Sequence, residues 1–214
     1  MNFFRTPFLL PAFFPRLTWR KETPSKELYL TFDDGPVPGP TEVVLEILKK
    51  SGTMATFFCI GDNIRKYPEI FRKVDAANHG VGNHTHNHLS GWGTKKESYL
   101  ANIKLCEEQI RFDRLLDKDN HTHRPLFRPP YGRITNGQIN SLTDFEIIMW
   151  DVLTHDYAKV LSPERCLTGS ISATRAGSII VFHDSLKAEK NMSYALPRFV
   201  DHFSNLGYTF KALL

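Results

Sequence analysis

The sequence predicts an α/β domain built on a parallel sheet, either doubly wound or closed as a barrel. Three observations lead there. Short apolar runs at residues 28–32, 55–60, 145–150 and 178–182 have the length and character of strands. Helix-spaced apolar patterns lie between them, and parallel strands need such crossovers. Polar clusters follow the strands directly, where parallel α/β folds gather their chemistry on one face.

The 214 residues suffice for one domain with a full core, and 41% apolar and 23% charged content is ordinary for a globular chain. Net charge is +4 with no basic tract, which argues against nucleic-acid binding. Residues 1–20 are rich in phenylalanine, but Pro7, Pro11 and Pro15 interrupt them, Arg16 and Arg20 follow, and no Ala-x-Ala cleavage pattern occurs. No stretch reaches the roughly 18 apolar residues of a membrane span. The expectation is an aromatic and proline-rich arm, residues 1–25, packed on a domain of residues 26–214 in a cytoplasmic protein. Contact with a membrane surface or cell envelope through the arm is the alternative. Oligomeric state is left open. Cys59, Cys106 and Cys166 show no CxxC spacing, so neither a disulfide framework nor a thiolate metal site is expected.

In order, Leu28, Leu30 and Phe32 alternate along the first strand, which runs into Asp33-Asp34-Gly35-Pro36, a turn on residue types alone. Val43, Val44, Ile47 and Leu48 predict a helix over 41–51 stopped by Gly52. Residues 55–60 read as a strand buried on both faces, and Pro68 opens a helix to residue 77. The segment from His79 to His88 leads out through Gly80 and Gly82. Thr94-Lys95-Lys96-Glu97 reads as a capping box opening a helix to about Leu116. Residues 125–131 read as extended, ending in a Pro-Pro-Tyr-Gly turn. Thr135-Asn136-Gly137-Gln138 is a second capping box, for a helix to Leu142, and Ser162-Pro163 caps another. The strand at 178–182 ends at His183-Asp184. A helix over 196–205 and a strand over 208–213 close the chain.

His84 and His88, four apart, face one side if they share a helical turn, and with Asp34 they supply two nitrogens and one oxygen for a divalent metal with open positions. His86 then points elsewhere, while Thr85 and Asn87 are placed to orient the ligands. A metal so held polarises a carbonyl and acidifies bound water. Hydrolysis further needs a base and an acid. Asp33, beside a ligand, suits the base, with Arg128 to hold it ionised, and His183 suits the acid, with a carboxylate such as Asp156 to raise its pKa. Tyr131 offers the first free amide after Pro129 and Pro130, an oxyanion donor. Trp150 and Tyr157 are aromatics for stacking on a sugar or for the core.

Thr31-Phe32-Asp33-Asp34-Gly35-Pro36, Gly82-Asn83-His84-Thr85 with His88, Arg128-Pro129-Pro130-Tyr131, Asp156-Tyr157, and Ile179-Ile180-Val181-Phe182-His183-Asp184 together resemble the five ordered motifs of the polysaccharide deacetylases, carbohydrate esterase family four, with its NodB-like homology domain. The resemblance spans residue 26 to the C-terminus. It implies a single-domain distorted (β/α) barrel that removes N-acetyl, or O-acetyl, groups from a carbohydrate. It implies one divalent ion, zinc first, with cobalt, nickel, manganese or iron as substitutes. Matched motif by motif, Asp33 is the base; Asp34, His84 and His88 hold the metal; Arg128 supports the base; Tyr131 gives its amide; Asp156 tunes the acid His183. Val181 is expected to line the acetyl pocket, and Pro130, Tyr131, Trp150 and Tyr157 are the other expected substrate contacts, with the core as the alternative for Trp150. The fourth motif is commonly Asp-Trp and here is Asp156-Tyr157, which alters one wall of the acetyl pocket. A non-haem iron oxygenase would share the ligand set but have no use for Asp33. A sugar-binding relative would not need both Asp33 and His183, and a hydrolase of another amide, such as a formamido sugar, would use the same machinery.

Overall fold

The computed structural model describes residues 3–114 and 124–213. The expected end of the long helix near Leu116 lies outside them. After the arm, with its single turn of helix α1 (Leu10–Phe13), come β1 (Glu27–Asp33), α2 (Pro40–Ser51), β2 (Thr56–Cys59), α3 (Gly61–Lys66), α4 (Pro68–Ala76), β3 (Gly80–Asn83) and α5 (Lys96–Asp113). Then follow β4 (Leu126–Phe127), α6 (Asn136–Ser141), β5 (Glu146–Ile147), β6 (Val152–Leu153), α7 (Pro163–Ala173), β7 (Ile179–His183), α8 (Glu189–Asn205) and β8 (Thr209–Phe210). The strands form one parallel sheet in the order β5-β4-β3-β2-β1-β7-β6, with β8 added to β1, curled as the barrel expectation requires.

Alternation along β1 and β7 explains both core and site. Leu28, Leu30 and Phe32 share a fully buried cluster with Ile180 and Phe182 of β7, Val44 and Leu48 of α2, and Phe199 of α8. Each such side chain contributes about 1.5–3 kcal/mol by leaving water. The intervening residues Thr31, Asp33, Val181 and His183 therefore face the barrel interior, and His183 is the last residue of its strand.

The arm bridges the two free sheet edges. Phe4 O accepts from Leu153 N at 2.9 Å beside β6, and Thr18 pairs with Ile147 and Met149 beside β5 at 2.9 and 2.7 Å. Of its aromatics only Phe4 is buried, against Gly169 of α7, while Phe3, Phe8 and Phe13 are exposed.

Several local expectations change. The Gly80-Val81-Gly82-Asn83 stretch is a strand, not a lead-out: a Cβ at Gly80 or Gly82 would lie 2.7 Å from Thr56 Oγ1 or 2.5 Å from Phe58, so only glycine fits against β2. The capping box at Thr94 does not form, because that hydroxyl donates to Ser90 O at 2.7 Å and the helix starts two residues later. The Thr135–Gln138 box does form. Helix α8 begins at Glu189 and passes through Pro197, since burial of Met192, Ala195 and Leu196 outweighs the hydrogen bond proline removes. The run at 145–150 yields only the two residues of β5. All three cysteines are buried and free. No helix among the described residues is long and apolar enough to cross a membrane.

Candidate active site

Because every strand of the sheet is parallel, the ends of β1, β3, β4 and β7 open on one face around a cavity of about 490 Å³. Asp33 ends β1. Its Oδ1 accepts from Arg128 Nη1 at 2.7 Å, and the same nitrogen donates to Thr31 Oγ1 at 2.7 Å. Arg128 is wholly buried. Its remaining nitrogens donate to Ile148 O and Met149 O at 3.3 and 3.0 Å, and its guanidinium stacks 4.1 Å from the Phe58 ring centre. A charge taken out of water this completely needs such a set of partners. It holds Asp33 in one orientation.

Asp34 is turned away from its neighbour by a left-handed backbone, φ 81°, and points at two imidazoles. Its Oδ1 lies 3.2 Å from His88 Nε2 and 3.7 Å from His84 Nε2. One ligand atom from each of the three falls within 4.8 Å of the others. The histidines do not share a helical turn: they belong to a loop in which Thr85 and His88 take positive φ, 63° and 55°. That loop is fixed by Asn83, whose Oδ1 accepts from Thr85 N at 2.9 Å, and by Thr85 Oγ1, which accepts from Leu89 N at 3.0 Å. Asn87 is turned instead to Asn102, and His86 packs against Gly61. The turn at the end of β1 is tied down from the other side by buried Asp184, which accepts from Gly35 N at 3.0 Å and Thr41 Oγ1 at 2.7 Å.

The donor chemistry fits a divalent cation. Nδ1 of His84 donates to Arg128 O at 2.7 Å, which leaves Nε2 as the free lone pair facing Asp34. Burial, opposed by Asp33, pushes the His84 pKa down to about 4, so the ring is neutral at pH 7. Burial would raise the Asp34 carboxyl, but His88, His183 and His84 around it hold it well below the usual carboxylate range. Two imidazole nitrogens and one carboxylate are a normal incomplete shell for such an ion.

Across the cavity, His183 Nδ1 donates to Asp156 Oδ1 at 2.7 Å, and the His183 backbone N donates to Asp156 Oδ2 at 2.7 Å. Nε2 is thereby left for the cavity. Burial would lower the His183 pKa, but Asp156 raises it to about 9. Tyr157 meets the His183 ring edge-on at 4.9 Å. Tyr131 takes φ 60° at the end of the Pro129-Pro130 segment, and its N–H has no acceptor among the described residues. Its ring lies 4.6 Å from that of His88.

The structure thus brings together Asp33, Asp34, His84, His88, Tyr131, Trp150, Tyr157, Val181 and His183 around one cavity, with Arg128 and Asp156 one layer behind. Pro130 is buried, and Pro129 lines the wall instead. Sequence reasoning missed Leu153, Arg133 and Lys187 in that wall. It also missed Asn63, which donates to Asp34 O at 2.8 Å. Leu153 sits in a two-residue strand and Asn63 in a six-residue helix, both too short to show a period.

The curled parallel sheet carries at its strand ends an Asp-His-His cluster that could hold a metal ion, and comparison with known proteins gives the family. The family model described as polysaccharide deacetylase matches residues 20–150. A peptidoglycan-N-acetylglucosamine deacetylase of Bacillus cereus is 34% identical over 74% of this chain, which spans 56% of that protein's length. A chitooligosaccharide deacetylase of Azorhizobium caulinodans is 32% identical, with 73% of each chain aligned. The crystal structure of the Bc1960 peptidoglycan N-acetylglucosamine deacetylase superposes with TM-score 0.86 at 27% identity, covering 97% of this chain and 95% of that one. A pseudoenzyme from Bacillus anthracis shares the fold, TM-score 0.78 at 22% identity, over 91% of this chain and 66% of its own. The chain belongs to the polysaccharide deacetylase family.

Proposed function

We propose that residues 26–214 form a metal-dependent hydrolase that removes the acetyl group from an N-acetylated amino sugar, with residues 1–25 as an arm on that unit. The observation that carries this reading is the pairing of two opposite dyads, Asp33 with Arg128 and His183 with Asp156, across the Asp34-His84-His88 cluster. Zinc suits a shell of two imidazoles and one carboxylate with positions left open. When bound, such an ion supplies Lewis-acid polarisation of the amide carbonyl and activation of water.

The chain's own residues do the rest. Asp33, held by Arg128, takes the proton of the attacking water. The Tyr131 N–H donates to the carbonyl oxygen as it becomes an oxyanion. His183 gives its Nε2 proton to the departing nitrogen, without which an amine is a poor leaving group. Asp156 keeps the other proton on Nδ1 and stabilises the imidazolium. Val181, Leu153 and Tyr157 narrow the cavity around the acyl methyl. The names of the relatives support N-acetylglucosamine in peptidoglycan or chitin-type oligomers as the sugar.

The test is acetate release from N-acetylglucosamine oligomers and from peptidoglycan, before and after chelation and with zinc restored. Release abolished by the chelator and recovered with zinc is expected. No release from any acetylated saccharide by zinc-loaded protein would overturn the reading.

A further inference from the structure

A second groove opens beside the active site, of roughly 390 Å³, and the arm builds one side of it. Phe3, Leu10, Phe14 and Trp19 of the arm face Ile134 and Met149 across it. Tyr131, Trp150 and Leu153 line both this groove and the catalytic cavity, so the two are continuous.

Most polar side chains on the arm side of the groove are already engaged, while Trp150 Nε1 and the Tyr131 hydroxyl, where the groove meets the catalytic cavity, have no hydrogen-bond partner among the described residues. Arg5 donates to Ala173 O, Thr6 Oγ1 to Trp150 O at 2.7 Å, Trp19 Nε1 to Phe14 O at 3.4 Å, and Trp92 Nε1 to Ile134 O at 3.3 Å. Sugar hydroxyls placed on the arm side would lose water without regaining hydrogen bonds, whereas a hydrocarbon would lose nothing. Tryptophan faces would accept a sugar's C–H surface, but away from that mouth the lining of Phe3, Leu10, Phe14, Ile134 and Met149 gives its hydroxyls no partners. Cations flank the passage on the catalytic side: Arg133 and Lys187 line that cavity, with no ion-pair partner for either among the described residues.

We propose that the groove holds the hydrocarbon aglycone of an amphiphilic glycoside whose N-acetyl sugar sits at the catalytic cluster. The inference rests on the deacetylase reading and narrows its substrate class to a lipid-linked amino sugar. The arm suits an encounter with such a molecule at a lipid surface. Phe8, Leu9 and Phe13 are 84%, 53% and 73% exposed, and the first 21 residues contain Arg5, Arg16, Arg20 and Lys21 but no carboxylate.

The experiment compares methyl, butyl and octyl β-N-acetylglucosaminides, each below its micelle concentration, in the zinc-loaded full chain. Burial of the alkyl chain is expected to raise kcat/KM at least about tenfold from methyl to octyl, mostly through KM. Leu10→Glu, in the groove and remote from the cluster, is expected to abolish that dependence while methyl glycoside turnover stays unchanged. Equal kcat/KM along the series would overturn the inference and leave the deacetylase reading standing. If no glycoside in the series is turned over, the deacetylase reading stands or falls on the oligomer and peptidoglycan assay, and calorimetric binding decides the groove alone. Tighter binding of the octyl than of the methyl glycoside supports it, and equal or no binding overturns it.

Discussion

Asp33 and His183 are register partners on the adjacent parallel strands β1 and β7. Their side chains therefore leave the same face of the sheet, one strand spacing of about 4.8 Å apart at the backbone. Each is backed by a buried partner of opposite charge, Arg128 for the carboxylate and Asp156 for the imidazole. A single rung of hydrogen-bonded sheet thus sets the separation between the proposed base and the proposed acid, and both stand on strands rather than on a loop.

Asp33→Asn should keep the metal and lose most turnover, about 10²–10⁴-fold, as removal of a general base commonly does. The amide oxygen still accepts from Arg128, so the fold is expected to survive. Asp34→Asn should instead weaken zinc affinity. Metal titration and steady-state rates on both variants check this, and identical behaviour of the two would contradict the division of roles.

His88→Ala should bind less than one zinc per chain, where the parent binds about one. The residue lies in a loop and is a quarter exposed, so its loss should leave the melting temperature of the metal-free protein nearly unchanged. Elemental analysis after gel filtration gives the stoichiometry. Undiminished zinc in the variant would remove His88 from the ligand set.

The His183–Asp156 pair predicts a pH dependence. His183 titrates near 9 in the folded chain against 6.5 when unperturbed. Its contribution to stability is therefore fully present below pH 6.5 and lost as pH rises through about 9. Asp156→Asn should flatten that loss in the metal-free protein, and in the loaded protein should move the alkaline limb of the rate profile to lower pH. His183→Ala should depress amide turnover much more than turnover of an activated acetate ester, whose leaving group needs no proton. A wild-type ratio of amide to ester rates in that variant would show that the proton comes from elsewhere.

Gly82→Ala should destabilise the chain by about 1–3 kcal/mol, as overpacking does. The new methyl would meet the Phe58 ring at 2.5 Å, and that ring carries the Arg128 guanidinium. A lower urea midpoint together with a reduced kcat is the expected outcome. An unchanged midpoint would mean the interior has slack that the packing does not suggest.

Much of this was legible in the sequence, for identifiable reasons. Leu28, Leu30 and Phe32 alternate because one face of β1 meets helices, and that alternation alone turns Thr31 and Asp33 inward. The strand at Gly80–Asn83 was hidden because its glycines answer to the bulk of Phe58 and Thr56, which no local pattern reveals. The spacing of His84 and His88 suggested a helix, yet two left-handed residues bring them together instead. Side chains from remote segments, such as Lys187 and Arg133, reach the cavity through tertiary folding and leave no local trace.

The arm that joins the sheet edges has a consequence for the order of events during synthesis. Thr6 bonds to Trp150, 144 residues further on, and Thr18 to Glu146, 128 residues further on. The arm is made long before either edge exists, so Phe4, which the folded chain buries, stays uncovered while most of the chain is translated. Closure of the barrel is then a late, long-range step, of the kind that slows folding. Until it happens, two strand edges remain open to pairing with other chains. The same segment that completes the sheet also completes the apolar groove, so a newly made molecule acquires the groove only when the seam shuts.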